Sequence, residues 1–203
     1  MNEVVIGLVG DIASGKGMVA KILEGKGYSR HVLSDRIREE IVRHGLIDLV
    51  DDRETLQNVG NELRREYGPQ ALAEITDRFI TANQNRFVVV DGLRNPAEIE
   101  YFRAKYPEFY VIGVDADREV RLGRYLARPK RGDPKTEEDF NRLDNRDMGT
   151  GENEFGQQVS ACFKMADIVI KNNWDKIGPL KKEVEGAFIA LGIEGQTRQK
   201  ERR

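Results

Sequence analysis

The glycine-rich segment at residues 10–17, GDIASGKG, constrains the fold of this chain more than any other feature. It satisfies the GxxxxGK pattern of a phosphate-binding loop, but Gly17 stands where that pattern usually has Ser or Thr. An apolar run precedes it at residues 4–9, and apolar residues return at helical spacing over residues 18–23. Strand, loop and helix therefore follow in the order that such a loop requires. The alternative is a glycine-rich turn with a solvated lysine.

The chemistry of this loop suits a nucleoside triphosphate. Glycines let successive backbone N–H groups approach an anion, and the positive end of the following helix faces the same point. The Lys16 side chain adds a mobile cation for the β- and γ-phosphoryl oxygens. We expect ATP to contact the loop and the residue after it, namely Gly10, Asp11, Ile12, Ala13, Ser14, Gly15, Lys16, Gly17 and Met18.

Composition narrows the functional class. The chain has 203 residues, 33% of them charged, and a formal net charge of −2, which does not indicate a surface for nucleic acid or membrane. Cys162 is the only cysteine, so the sequence has neither an internal disulfide nor a CxxC motif. The first residues lack a signal-peptide pattern, and no apolar run reaches membrane-spanning length. We expect a single cytoplasmic domain over residues 1–203, and the oligomeric state stays open.

Short apolar runs alternate with longer amphipathic stretches, which predicts an α/β protein with the three-layer α/β/α P-loop NTPase fold and a five-stranded parallel sheet. Strands are predicted at 4–9, 31–33, 87–90, 109–114 and 168–170, and helices at 97–105, 117–128, 137–147 and 176–191. Residues 34–83 form a long, charged, helical stretch that we expect beside the active site as an acceptor-binding insertion. Residues 129–136 are predicted to form a short lid, and residues 195–203 a frayed tail.

Polar residues follow the predicted strands at the edge where ligands bind in such sheets. Asp91 follows FVVV and is placed like a Walker B carboxylate, which holds Mg²⁺ directly or through water. The alternative for Asp91 is a cap of the turn in DGLRNP. Arg94 is expected to pair with an acceptor phosphate, because a guanidinium matches phosphate oxygens. Ser34 and Asp35 follow the second strand and lie at the same edge.

Several arginines follow the fourth predicted strand. Arg121, Arg124 and Arg128 recur at spacings of three and four residues, hence on one helical face, and Arg131 lies in the adjoining loop. Cations on one face repel one another unless an anion is present, so we expect this face to close over a polyphosphate. Arg146, at the end of the following helix, is predicted to reach the same charge and to act with Arg131 in the lid. The alternative is an ordinary solvated arginine face.

Together these segments resemble the nucleoside monophosphate kinase group of the P-loop kinases over roughly residues 3–191. SGKG is similar to the loop of adenylate kinases, SDRIR to their acceptor motif TGDMLR, and DGLRN to their DGFPR. A closer resemblance is to the broad-specificity adenylate-kinase-like proteins typical of archaea. It is carried in order by SDRIREE, LRREYGPQALA, VVVDGLRNPAEIEYF, RYLAR and GDPKT.

This resemblance implies roles on both sides of the site. Ser34, Asp35 and Arg38 would face the acceptor nucleotide, and Arg94 would bind its phosphate. Arg124 would contact the donor base or phosphates. The residues implied to position or neutralise the transferring phosphoryl group are Lys16, Arg94, Arg124 and Arg128.

The implied co-substrate is ATP and the implied cofactor is Mg²⁺. Adenylate kinases usually have Thr after GKG, whereas this chain has Met18, so neither Gly17 nor Met18 supplies a hydroxyl group to the metal. Mg²⁺ would then be held by nucleotide oxygens, Asp91 and water. The sequence leaves open whether ATP or GTP is the preferred donor.

A second resemblance involves ADIVIKNN at residues 166–173, which is similar to the closing strand of dephospho-coenzyme A kinases. In that family this strand precedes a loop near the donor adenine, and Asn172 is assigned to the nucleotide on this basis. The acceptor group would then be a sugar hydroxyl, and Asp35 would be the best candidate for its general base.

The function we expect is in-line transfer of the γ-phosphoryl group of ATP to a nucleoside or deoxynucleoside monophosphate, that is, a small phosphorylated acceptor. Two alternatives stay open: phosphorylation of a sugar hydroxyl, as in dephospho-coenzyme A kinases, and a nucleotide-binding switch or NTPase without a small acceptor. The base and sugar of the acceptor are not fixed by the sequence, because a few contacts within residues 34–83 would select them.

Overall fold

The computed structural model describes residues 4–127 and 136–193. Its strands are β1 (Val4–Gly10), β2 (Ser29–Val32), β3 (Phe87–Asp91), β4 (Glu108–Asp115) and β5 (Ile168–Lys171). They form one five-stranded sheet in the order β2-β3-β1-β4-β5, and every pairing is parallel. The central strand β1 places Val4 beside both Phe87 and Glu108. The predicted five-stranded parallel sheet is confirmed.

Helices connect and cover these strands. They are α1 (Lys16–Gly25), α2 (Leu33–Arg43), α3 (Arg53–Tyr67), α4 (Ala71–Asn83), α5 (Pro96–Lys105), α6 (Arg118–Leu126), α7 (Glu137–Met148), α8 (Val159–Lys164) and α9 (Ile177–Ala190). A 3-10 turn at Ile47–Leu49 lies between α2 and α3. The sequence did not predict α8, because six residues are too few to give a clear helical period.

The second strand needs a correction. The sequence predicts it at residues 31–33, whereas β2 covers Ser29–Val32 and Leu33 is the first residue of α2. Leu33, Ile37 and Ile41 recur every four residues and are all buried, so they form the inner face of the helix rather than the end of a strand.

Both faces of the sheet are covered, because the side chains of β1 alternate between two cores. Val5 and Val9 belong to a cluster with residues of α2, α3, α4, α5 and α8. Ile6 and Leu8 belong to a second cluster with residues of α1 and α9. This arrangement confirms the predicted three layers. None of the helices in the described ranges is long and apolar enough to cross a membrane.

Residues 34–83 fold mainly as α2, α3 and α4, which cover one face of the sheet beside β2. Their position agrees with the predicted helical stretch between the second and third strands. The predicted lid at 129–136 lies outside the described residues except for Thr136, whose side chain caps α7. The predicted tail at 195–203 also lies outside them.

A buried ion pair ties this helical stretch to the sheet. The side chain of Glu98 is fully buried, and its Oε1 accepts hydrogen bonds from Nε (3.0 Å) and Nη2 (2.8 Å) of Arg64 on α3. Its Oε2 accepts from the backbone N–H groups of Arg94 (2.8 Å) and Asn95 (3.1 Å) in the loop after β3. One carboxylate therefore joins α3, the loop after β3 and the start of α5.

We expect Glu98→Ala to lower the free energy of unfolding by ~3–5 kcal/mol, because it leaves the Arg64 guanidinium buried without its counter-charge. Denaturant titration followed by circular dichroism measures this loss. Glu100→Ala on the same helix is the matched control, since Glu100 is exposed. Equal losses in the two variants would contradict this assignment to Glu98.

Candidate active site

A cleft of about 700 Å³ opens at the carboxyl ends of β1, β2 and β3, the edge at which such sheets bind ligands. The predicted site residues that line it are Gly10, Asp11, Ile12, Ala13, Ser14, Gly15, Lys16, Gly17, Met18, Ser34, Asp35, Arg38, Asp91, Arg94 and Arg124. Asn172 and Arg146 do not line it. Arg128 and Arg131 lie outside the described residues.

The loop between β1 and α1 has a backbone that demands glycine at two points. Gly15 immediately precedes α1 with φ at +94°, and a Cβ atom there would lie 2.1 Å from Nδ2 of Asn172. A Cβ atom at Gly10 would lie 2.9 Å from the carbonyl oxygen of Val114 on β4. Asn172 and Val114 therefore pack closely against one side of the turn. Its N–H groups and the start of α1 adjoin the cleft.

Two polar side chains, those of Asn172 and Arg124, hold this loop in place. Asn172, which follows β5, donates from Nδ2 to the carbonyl oxygen of Ser14 at 2.7 Å. Arg124 on α6 donates from Nη1 to the carbonyl oxygen of Asn172 (2.9 Å) and from Nη2 to that of Trp174 (2.7 Å). Asn172 therefore contacts the loop rather than the cleft. The Arg124 guanidinium lines the cleft, and because these partners are carbonyl oxygens its charge is not cancelled by them.

Asp91 ends β3 at the floor of the cleft and is held by two cations. Its Oδ1 accepts from Nζ of Lys16, and its Oδ2 accepts from Nε (3.0 Å) and Nη2 of Arg30 on β2. Burial alone would raise the pKa of Asp91, but Lys16 and Arg30 hold it below its ordinary value. Burial lowers the pKa of Lys16, and the charge of Asp91 opposes that change.

These contacts bear on the predicted metal site. Both carboxylate oxygens of Asp91 already accept hydrogen bonds from cations, Gly17 has no side chain, and Met18 offers only a thioether. The described residues also contain no group of three or more His, Cys, Asp or Glu side chains suited to a metal ion. The side chains in this arrangement therefore do not fit a Mg²⁺ ion bound directly by the protein.

The first turn of α2 brings the predicted acceptor residues together. Arg38 donates from Nη1 to Oγ of Ser34 (2.8 Å) and to Oδ1 of Asp35 (3.0 Å), and from Nε to Asp51 (3.1 Å). Its guanidinium is thus held at the rim of the cleft, where an acceptor would enter.

Arg94 lies deeper, in the loop after β3. Its Nη1 donates to Oδ2 of Asp147 and to Oε1 of Gln157 (2.7 Å), which links this loop to the end of α7. Burial tends to lower the pKa of Arg94, but the carboxylates of Asp147, Glu98 and Asp91 together raise it above its ordinary value. Arg94 therefore stays charged and lines the cleft as predicted.

The cleft is also lined by residues that the sequence did not single out, among them Arg30, Gln57 and Arg64. The Arg64 side chain is buried, and its Nη1 has no hydrogen-bond partner within the described ranges. Gln57 donates to Asp147 (2.6 Å) and leaves its Oε1 likewise unpartnered. Arg64 belongs to the LRREYG segment, which was the only available signal for it in the sequence.

The predicted arginine face needs a correction. Arg121 is buried and donates from Nη2 to Asp144 (2.9 Å) and from Nη1 to Asp144 and to the carbonyl oxygen of Ile12 (3.3 Å). Its charge is therefore neutralised within the protein and does not require an anion. Arg146 donates to Oε1 of Glu152 at 2.7 Å, away from the cleft.

Asp11 is an unusual carboxyl group within the loop. It is buried, its Oδ1 has no hydrogen-bond partner in the described structure, and its Oδ2 lies 3.8 Å from Nε of Arg121. Burial raises the pKa of Asp11 to about 6; Arg121 opposes the increase, while Asp144, Asp115 and Asp147 add to it.

Sequence comparison finds a family model and relatives that match most of this chain. Residues 9–141 match the family model described as an AAA domain. A UPF0200 protein of Methanothermobacter thermautotrophicus is 33% identical over 196 residues, which cover 97% of this chain and 95% of the relative. A UPF0200 protein of Methanoregula boonei is 34% identical over 169 residues, covering 83% and 87% respectively.

Solved structures agree on the fold. The shikimate kinase of Bacteroides thetaiotaomicron superposes with a TM-score of 0.57 at 14% identity, over 93% of this chain and 98% of that one. At this level of identity the match establishes a kinase-like P-loop fold and leaves the substrate open.

We expect Asp11→Asn to increase stability more near neutral pH than in acid. The folded-state pKa of about 6 lies above the ordinary 3.8, so the folded protein holds this proton more tightly than the unfolded chain. Wild-type stability therefore falls as pH rises between these values, by at most ~3 kcal/mol. Asn does not titrate, so the advantage of the variant should grow across this range.

Thermal unfolding at about pH 4 and about pH 7 measures the difference. Asp48→Asn, at an exposed position, is the control. An advantage for Asp11→Asn that stays constant with pH would contradict the raised pKa.

Proposed function

Because this chain belongs to the UPF0200 protein family and has a kinase-like P-loop fold, we propose that it transfers the γ-phosphoryl group of ATP to a nucleoside or deoxynucleoside monophosphate. This assignment places it beside the adenylate-kinase-like enzymes among the P-loop kinases. We also propose that it works as one cytoplasmic domain on small molecules, without nucleic acid or membrane as a partner.

The supporting observation is that one cleft is lined by the phosphate-binding loop and also by the arginines expected on the acceptor side. All four arginine and lysine residues concerned line this cleft, and we assign Lys16 and Arg124 to the donor and Arg38 and Arg94 to the acceptor. Arg64 adds a free N–H group on a guanidinium that Glu98 holds in place. The cleft can therefore receive two anionic groups, as transfer between two phosphates requires.

Transfer of a phosphoryl group depends mainly on position and neutralised charge. In our proposal Lys16 leaves Asp91 to bind the β- and γ-phosphoryl oxygens, while the N–H groups at the start of α1 hold the remaining oxygens. The acceptor phosphate is already ionised near neutral pH, so the reaction needs no general base. Mg²⁺ supplies charge neutralisation in such reactions, and we assign it to nucleotide oxygens and water, with Asp91 reached through water. Arg128 and Arg131 keep their predicted roles near the transferring group and in the lid.

A second candidate is phosphorylation of a sugar hydroxyl, as in dephospho-coenzyme A kinases. The observation that favours it is the position of Asp35, whose half-exposed carboxylate lines the cleft where it can take a proton. Asn172 also follows β5 as the similarity in ADIVIKNN implies, although its side chain contacts the loop.

We expect the purified protein with ATP and Mg²⁺ to form ADP only when a suitable acceptor is present. A panel of nucleoside and deoxynucleoside monophosphates and dephospho-coenzyme A tests this by coupled detection of ADP. Lys16→Ala should lower the rate by ~10²–10³, as expected for loss of one donor to the transferring group. Lys21→Ala is the control, because Lys21 is exposed on the same helix.

Activity that survives Lys16→Ala would contradict the assignment of the loop. Slow ADP formation that no acceptor accelerates would instead identify a nucleotide-binding switch or NTPase, which is the remaining alternative.

The two acceptor classes make different predictions for Asp35→Asn. If the acceptor group is a phosphate, Asp35 only orders Arg38, and most of the rate should remain. If the acceptor is a hydroxyl, Asp35 takes its proton, and kcat should fall by ~10²–10⁴. Asp51→Asn is a matched control, since Asp51 also accepts a hydrogen bond from Arg38 at the edge of the cleft. Equal and small effects of both substitutions would exclude Asp35 as a base.

A further inference from the structure

We propose that Arg30 takes the place of a protein-bound divalent cation beside the donor phosphates, so that nucleotide binding by this chain depends only weakly on Mg²⁺. This inference rests on the proposed binding of a nucleotide at the phosphate loop, but not on the identity of the acceptor.

The position of Arg30 is the first reason. Its Nε and Nη2 donate to Oδ2 of Asp91, the carboxylate predicted to hold the metal. Its Nη2 also lies 3.9 Å from the point at which a Cβ atom on Gly17 would stand. The guanidinium thus lies between the strand-end carboxylate and the loop position where a hydroxyl usually meets the metal. The missing side chain at Gly17 leaves space for it.

The charge at this point is the second reason. Asp91 carries one negative charge, while Lys16 and Arg30 carry two positive charges, so the group keeps a net charge of +1 for an incoming phosphate. A guanidinium is always protonated at physiological pH, so Arg30 keeps its charge whether or not a phosphate is bound.

The third reason is that Asp91 holds Arg30 in place while N–H groups of its guanidinium stay available to a phosphate. Asp91 holds Nε and Nη2, whereas Nη1 lies 3.8 Å from Oε2 of Glu24, a loose pair near the surface. The Arg30 side chain lines the cleft and is 25% exposed, and Nη2, which lies toward Gly17, has a second N–H group for a phosphate at that point. Because Arg30 holds Oδ2 of Asp91, a metal ion could reach only Oδ1 of that carboxylate, and only after Lys16 has left it.

The experiment is calorimetric titration with ADP, in Mg²⁺ and in EDTA, so that turnover does not interfere. We expect the Kd of the wild-type protein to differ by less than about threefold between the two conditions. For Arg30→Gln we expect Kd to rise by about tenfold or more in EDTA and distinctly less in Mg²⁺, because only the metal can then supply the missing charge.

Arg36→Gln is the matched control: Arg36 lies on neighbouring α2, stacks on the ring of Phe79 at 3.9 Å and does not line the cleft. It should leave both Kd values unchanged. Arg30→Lys keeps a cation next to Asp91 and should show a smaller dependence on Mg²⁺ than Arg30→Gln. This variant keeps the test valid if the protein folds only with a cation at this position.

Two results would overturn this role of Arg30 while ADP still binds. One is a wild-type Kd that depends on Mg²⁺ as strongly as that of Arg30→Gln. The other is an equal loss of affinity for Arg30→Gln in both conditions, which would make Arg30 an ordinary phosphate contact. If wild-type protein binds no ADP in either condition, the proposed function itself fails and this inference with it.

Discussion

The buried carboxylate of Glu98 is the interaction on which the arrangement of the site depends. It receives two hydrogen bonds from Arg64 on α3 and two from the backbone of the loop after β3, so both elements are oriented by one ion. A buried charge is tolerated only when such bonds are complete, and moving either element would break some of them. Arg64 and the loop that carries Arg94 are therefore held in a fixed relative position, although they lie far apart in the sequence.

The donor side works on a different principle, because its contacts are suited to exchange. Lys16 binds Oδ1 of Asp91 and Arg30 binds Oδ2, so in our proposal Lys16 moves to a phosphate group while Arg30 keeps Asp91 paired. The loop that carries Lys16 is meanwhile held from below by Asn172. Because the backbone is fixed and the side-chain partners can exchange, a cationic side chain can move to the ligand. The anion-binding N–H groups meanwhile stay in place.

The sequence predicted the sheet and the loop well because both are local signals. Four strands are continuous apolar runs, whereas β2, SRHV, is partly exposed and short, and its ends were misplaced. The site residues that were predicted have a local signal, either a glycine-rich pattern, a polar residue directly after a strand or a helical spacing. Arg64 was missed because its role depends on the one nitrogen that Glu98 leaves free, and Arg121 was misread because Asp144, on another helix, neutralises it. Such ion pairs join residues that folding brings together, so no spacing in the sequence indicates them.

Because Asn172 supports the loop, the part of the chain needed to form the site extends to the residue after β5. The matched AAA domain covers residues 9–141, which contain the whole loop but not the residue that holds its backbone carbonyl. A fragment limited to those residues would retain the phosphate-binding loop but lose most of β1, the edge strand β5 and Asn172, whose side chain holds the loop. The part of the chain that holds the loop in place is therefore longer than the part that carries its motif, and it includes the residue that follows β5.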